Sequence, residues 1–281
     1  MSRNILNAMS IDVEDWFHIL EVEQVPAQAD WAGLPSVVER NTERLLGLLE
    51  ETGSGCTGFL LGWIAEHHPQ LAKRVAEAGC EIATHGYAHE LVREIGPERF
   101  RADVERSIDV IEGVTGRRPV GYRAPGFSIT EDARDWAFEV LADLGMSFDS
   151  SIFPGRSGHG GIADADATPH AIAVSGGRQL QEFPISVTSL FGRDVAFSGG
   201  YLRLLPYRFL KARIERANRE GVPVVVYVHP RDIDPDHPRI DMPMPRRFRS
   251  YVGLHTAYDK LRRLLEEFRF GTVSDSLREA A

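Results

Sequence analysis

Cysteine is scarce in this sequence. Its 281 residues contain two, Cys56 and Cys80, each at the start of an apolar stretch with strand character. Two buried free thiols are therefore expected rather than a structural disulfide, a usage that fits a reducing compartment. Long hydrophobic runs are missing too. Met1-Ser2-Arg3-Asn4-Ile5-Leu6 lacks the apolar core of a signal peptide, and no later stretch approaches a membrane span. A cytoplasmic protein without a transmembrane segment is the expectation. Basic charge is also short: 41 Asp+Glu against 32 Lys+Arg give a net charge of −9, which argues against nucleic acid as the main ligand. The local stripe Pro245-Arg246-Arg247-Phe248-Arg249 reads as a solvated or salt-bridged edge. No GxGxxG or P-loop follows the first apolar run, so nucleotide-binding folds lose support.

What is present is ample material for a core, 43% apolar residues with 26% charged. No linker divides the chain convincingly, and a single domain over residues 1–281 is expected. Short apolar strands alternate with amphipathic helices: strands at 5–13, 56–62, 80–84, 119–122 and 147–149, helices at 36–51, 69–78, 97–116 and 130–144. Residues 150–180, rich in Gly, Ser and Asp, read as a long surface excursion that could wall a substrate cleft. Regular structure resumes over 180–188, with a helix at 206–219 and a strand at 222–228 that ends at His229. Residues 230–250 read as irregular, followed by a helix at 254–268 and a strand at 269–273. This rhythm predicts an α/β fold with a mainly parallel sheet, open or closed into a barrel. Such folds collect their chemistry at the C-terminal ends of strands, where Asp12, His85, Arg123 and Asp149 all fall.

The segment Thr84-His85-Gly86-Tyr87-Ala88-His89 carries two histidines four apart, a spacing that can put both imidazoles on one side of a helical turn. Neutral imidazole is a common zinc ligand. Together with the acidic cluster Asp12-Val13-Glu14-Asp15, two histidines and a carboxylate would make a hydrolytic metal site that keeps a position for water.

The ordered set Ser10-Ile11-Asp12-Val13-Glu14-Asp15, Thr84 to His89, Arg123-Ala124-Pro125-Gly126-Phe127, Asp149-Ser150-Ser151 and Tyr227-Val228-His229-Pro230 resembles the five motifs of the NodB-like polysaccharide deacetylases, carbohydrate esterase family 4. The resemblance spans roughly residues 5–275. Gly199-Gly200-Tyr201-Leu202-Arg203-Leu204-Leu205-Pro206 and the tail from Val228 to Phe270 are similar to the subgroup found with exosortase-linked exopolysaccharide operons. Residues 230–275 would then be a subgroup extension packed on the barrel.

The resemblance implies a distorted (β/α)7-type barrel and hydrolysis of N-acetyl groups on a hexosamine of an exopolysaccharide or its lipid-linked precursor. A divalent metal is implied, Zn²⁺ first, with Co²⁺, Mn²⁺ or Ni²⁺ compatible with the ligands. His85, His89 and one carboxylate would hold it; Glu14 and Asp15 both stay open for that position. Asp12 would be the general base and Arg123 the group that keeps it ionised and oriented. The Gly126 backbone N–H, on the turn stiffened by Pro125, would meet the oxyanion; relatives often carry Tyr there. His229 would be the general acid, tuned by Asp149. The competing readings are a metal-free amidohydrolase acting on a small amide, and an inactive glycan-binding protein.

Other conspicuous residues have plainer expectations. His67 and His68 read as solvent-exposed, and His159, His170 and His237 as loop residues without partners. His18 could line the cleft. Trp16, Phe17 and Trp31 read as core, although aromatic rings beside a sugar site would be useful. Gly58 stands where relatives have paired phenylalanines; it weakens its strand and leaves room beneath the site.

Overall fold

The computed structural model describes residues 5–20, 22, 24–155 and 160–280. Its organising element is strand β1 (Asn7–Val13), buried along its whole length. The period of two sends Met9, Ile11 and Val13 into the core under the helices, while Ala8 joins a second core inside the curved sheet and Ser10 and Asp12 share its face. The chain continues through α1 (Val38–Thr52), β2 (Thr57–Leu60), α2 (Gly62–His67), α3 (Pro69–Glu77), β3 (Glu81–Thr84), α4 (Val92–Thr115), β4 (Gly121–Tyr122), α5 (Arg134–Asp143) and β5 (Phe148–Asp149). After this β-α series come strands β6 (His170–Ala173), β7 (Gln179–Glu182), β8 (Val187–Leu190) and β9 (Arg193–Ala196). Helices α6 (Gly199–Leu204) and α7 (Tyr207–Arg219), strand β10 (Val225–Val228), helices α8 (Met244–Tyr251) and α9 (Leu254–Glu267), strand β11 (Phe270–Gly271) and helix α10 (Val273–Ala280) complete it.

Among the described residues the strands form a nine-stranded sheet in the order β10-β1-β2-β3-β4-β5-β7-β6, with β11 also paired to β1. From β10 to β7 every pairing is parallel; β6 is antiparallel to β7. Seven consecutive parallel strands curl into a partial barrel, as the (β/α)7 reading expects. The gap between β10 and the far strands is bridged by the segment that carries the β8–β9 hairpin. Ile185 N donates to Ile152 O, Phe197 N to Ser186 O and Tyr227 N to Phe197 O. The barrel interior is aromatic, with Phe59, Phe148, Phe153, Phe183 and Tyr227 in one buried cluster. Gly121 is required there, because a Cβ on it would lie 2.2 Å from the Phe148 ring.

Several expectations are corrected. Residues 230–250 are not wholly irregular: a 3-10 turn spans Pro230–Ile233 and α8 occupies Met244–Tyr251. The β8–β9 hairpin, α6 and α10 were not anticipated, and α4 begins before Pro97, with a kink at Gly96 (φ 72°). Gly58 leaves no room beneath the site. It faces α3, where a Cβ would lie 2.9 Å from Val75 Cγ1, so it permits close helix packing on the outer face. Both cysteines are buried as free thiols.

Candidate active site

The first two carboxylates reach the cavity through a tight turn. Glu14 N donates to Asp12 O, a three-residue turn at the end of β1 that brings both side chains to the open mouth of the barrel. Asp12 is buried and bound by Arg123, whose Nη1 lies 2.7 Å from Asp12 Oδ1. The other guanidinium bonds go to Ser10 Oγ, Ser150 O and Ser150 Oγ, and the plane sits 4.0 Å from the Phe59 ring. Arg123 is thus immobilised on every side, and Asp12 with it.

His85 and His89 do not meet on a helical turn. They are joined by a loop that needs left-handed backbone at Gly86 (φ 76°) and His89 (φ 56°). Asp103, from α4, shapes this loop by accepting from Tyr87 N and Ala88 N. Its carboxylate fills the place of a side chain at residue 86, where a Cβ would lie 2.7 Å from Oδ2. His85 Nδ1 donates to Arg123 O at 2.8 Å, which turns Nε2 to the cavity, and burial lowers its pKa to about 4, keeping the ring neutral.

Glu14, His85 and His89, all buried, bring one ligand atom each within 4.8 Å of one another. Burial opposes ionisation of Glu14, but His89 and His229 outweigh it and hold the carboxyl well below its ordinary range. Glu14 Oε2 lies 2.9 Å from His89 Nε2, yet no hydrogen bond reaches this buried oxygen. Donor atoms crowded together without mutual hydrogen bonding, on an anionic carboxylate and imidazoles with one neutral ring, suit a divalent cation.

Asp15 is not part of this group. Its carboxylate accepts from Trp16 N, Ser36 Oγ, Val37 N and Val38 N, so it caps the start of α1. The resemblance favours Glu14 and leaves Asp15 open; in the structure Glu14 alone of the two lies with His85 and His89.

His229 ends β10 with Nε2 3.0 Å from Glu14 Oε1 and 3.9 Å from Asp12 Oδ2. The expected tuning by Asp149 is not seen. Asp149 accepts from Ser151 N and Ser151 Oγ and lies beside Glu182 on the next strand. Ser151 Oγ in turn accepts from Ala124 N, so Asp149 braces the turn that carries Gly126. The carboxylate on His229 belongs to Asp232, which accepts from His229 N at 2.9 Å and lies 3.0 Å from Nδ1. Burial works against a charged His229, but Glu14 and Asp232 prevail and raise its pKa to about 10. Arg203 Nε stands 3.1 Å from Asp232 Oδ1 and helps keep it ionised, well below the usual carboxylate range despite its burial. The signal for Asp232 was an acid three residues after a strand-end histidine, which a 3-10 turn folds back.

These groups open on a cavity of about 430 Å³, whose wall includes Gly126, Tyr227, Arg231 and His18. His18 does line the cleft. It is buried among Phe17, Trp31 and Trp63, Asp15 N donates to its Nδ1, and its buried Nε2 has no hydrogen-bond partner. Trp16, Phe17 and Trp31 are core, as expected. His67 is exposed but stacks on Trp63, and His170 and His237 have carbonyl partners in Thr168 and Pro238. His237 is buried rather than loose in a loop. His159 lies outside the described residues.

Known proteins resemble parts of this chain. Residues 31–148 match the family model for polysaccharide deacetylase, and residues 150–278 match a domain of unknown function, DUF3473. The peptidoglycan deacetylase-like protein FGM2 of Gibberella zeae is 35% identical over 118 residues, 41% of this chain and 32% of that protein. The peptidoglycan-N-acetylglucosamine deacetylase of Bacillus cereus is 30% identical over 98 residues, covering 35% of this chain and 36% of its own. The peptidoglycan deacetylase of Helicobacter pylori is 27% identical over 158 residues, 54% and 51% of the two chains. The chain therefore spans about half or less of these relatives. Among solved structures, one from Mycobacterium smegmatis assigned as a polysaccharide deacetylase superposes with a TM-score of 0.69 at 21% identity, covering 100% of this chain and 91% of its own. The Puue allantoinase superposes at 0.67 with 13% identity, covering 99% and 90%; at such identities the likeness is one of fold. The sheet itself ignores the boundary between the two matched segments: β7 of the second pairs with β5 at the end of the first, and β1, which precedes both, pairs with β2 of the first and β10 of the second. Together these matches show that residues 31–148 are similar to polysaccharide deacetylases, within a fold that the solved deacetylase structure shares over the whole chain.

Proposed function

We propose that the protein is a metal-dependent N-deacetylase that releases acetate from an N-acetylhexosamine of a bacterial exopolysaccharide or its lipid-linked precursor. The observation that carries this reading is the convergence of Asp12, Glu14, His85, His89 and His229 on one cavity, with Asp12 tied to Arg123 rather than to the ligand trio. Glu14, His85 and His89 would hold a divalent cation, Zn²⁺ first, which when bound supplies Lewis acidity to the acetyl carbonyl and the attacking water.

The remaining steps fall to the chain. Asp12 takes the proton of the water; Arg123 and burial fix the carboxylate in one orientation. The Gly126 N–H, on the turn after Ala124, faces the developing oxyanion. His229, protonated with Asp232 on its Nδ1, delivers a proton to the departing amine from Nε2. Asp149 acts at a distance, by holding Ser151 and through it the Ala124 turn. The free thiols Cys56 and Cys80 support a reducing, cytoplasmic setting, and no helix among the described residues is long and apolar enough to cross a membrane.

The ligand trio favours this reading over a metal-free amidohydrolase of the same fold. The complete acid–base pair favours it over a glycan-binding protein. Elemental analysis of the wild type and His85→Ala/His89→Ala, with acetate release measured on N-acetylated glycans, tests it. Bound metal in the wild type alone, together with turnover that Asp12→Asn abolishes, is expected. Metal-free protein after reconstitution, or turnover indifferent to Asp12→Asn, would overturn it.

A further inference from the structure

Beside the catalytic cavity lies a second one of about 370 Å³, and Arg231, Arg246, Tyr201 and Ser250 belong to the wall of both. Arg203, Arg249 and the imidazole of His237 also belong to its lining, and among the described residues no carboxylate lines it. In a chain of net charge −9 this concentration of one sign runs against composition. It also gives a place to the arginine stripe of residues 246–249, which reads from sequence as a salt-bridged edge.

Arg203 is neutralised, since it pairs with Asp232 and donates to Ser250 O. Arg246 donates to the backbone oxygen of Leu20. Among the described residues neither Arg231 nor Arg249 has a carboxylate within ion-pairing distance. The buried Nη1 of Arg231 has no hydrogen-bond partner at all. A buried guanidinium N–H left without an acceptor is costly, and planar guanidinium forks match the oxygens of carboxylates and phosphates.

We propose that this second cavity is an oxyanion subsite, so that the substrate is a hexosamine carrying a phosphate or carboxylate within about one sugar ring of its N-acetyl group. The proposal rests on the deacetylase reading of the neighbouring cavity. A neutral polymer would bring only hydroxyl groups to Arg231 and Arg249 and leave their charge uncompensated.

Calorimetric titration of the full chain with three probes tests it: N-acetylglucosamine 1-phosphate, N-acetylmuramic acid and neutral N,N′-diacetylchitobiose. Each titration is run as purified and after chelation, because a phosphate can also ligate a metal. An anionic probe is expected to bind at least about tenfold more tightly than the neutral one, the worth of one charge-assisted hydrogen bond. The preference should survive chelation, weaken with salt and fall towards unity in Arg231→Gln and in Arg249→Gln. Arg249 is exposed, so its variant keeps the test open if Arg231→Gln misfolds. Which anion binds more tightly identifies the phosphate or the carboxylate as the source. Equal binding of all three probes, or a preference that both variants retain, overturns the subsite. Acetate release is measured on the same samples. Turnover without anion preference sinks the subsite alone, whereas anion preference without turnover of any probe sinks the deacetylase reading and leaves the subsite standing.

Discussion

Replacing Asp232 by Asn keeps the outline of the side chain and removes its charge from His229. The two groups are 3.0 Å apart, a separation at which unit charges attract by about 5 to 6 kcal/mol at an effective dielectric of ~20. Desolvation offsets most of that, and the net value of such a charge-assisted hydrogen bond is about 1.5–3 kcal/mol. The His229 pKa should therefore fall by roughly 1–2 units. It starts at about 10, lifted by Glu14 and Asp232 against burial. The protonated, acid-competent form would then be lost nearer pH 8 to 9, by the same roughly 1–2 units. The assay is the pH profile of kcat/KM for acetate release, whose alkaline limb should move down by this amount. Turnover at neutral pH should also drop, by about 10- to 100-fold, as the ring loses the partner that fixes its orientation. Because the substitution also strands the buried Arg203, stability should fall by about 3–5 kcal/mol, so unfolding is followed in parallel and kinetics are kept below its onset. Asp149→Asn is the control. It touches Ser151 rather than His229 and should leave the limb in place. An unmoved limb in Asp232→Asn, or an equal shift in Asp149→Asn, would refute the assignment.

Two further outcomes follow from the site and its foundations. Glu14→Gln should lose most of the bound metal, whereas Asp15→Asn should keep it and instead lose about 1–2 kcal/mol of stability through the weakened cap of α1; elemental analysis and urea unfolding check the pair. Glu182 is buried beside Asp149, and burial, then the Asp149 charge, raise its pKa well above 4.5. The folded state thus holds a proton that the unfolded chain releases above about pH 4.5. That stabilisation is complete below this pH and is lost as pH rises towards the folded pKa, by up to about 1.4 kcal/mol per pH unit. Glu182→Gln should remove the slope, so the variant gains on the wild type between pH 5 and 8. Parallel urea curves for the two proteins across that range would count against this.

Much of this architecture is legible in sequence because parallel strands sit between amphipathic helices punctuated by glycine. Gly53, Gly79, Gly116 and Gly145 all fall just after helices, with positive φ. Asp12, His85, Arg123 and His229 could be found because strand ends concentrate chemistry. Asp103 could not, since nothing local says that an acid in the middle of α4 shapes a loop fifteen and sixteen residues upstream. Asp149 was expected on His229, eighty positions on, because both belong to the motif set; in the structure its partners are Ser151, two residues on, and Glu182 on the next strand. Helix α8 was hidden by its prolines. Pro243 and Pro245 sit at its start, where a missing N–H and a fixed φ do no harm.

The placement of β1 bears on how the protein is made. It is flanked by β2 and by β10, and Asn7 Oδ1 accepts from Val224 N, 217 positions away. During synthesis Glu14, His85 and His89 emerge together within the first third of the chain, while His229 and Asp232 follow near its end. A nascent chain could therefore assemble its cation ligands long before it acquires the proton donor. Until β10 arrives, one edge of a strand that is buried along its whole length stands unpaired, a template for wrong pairing with another chain.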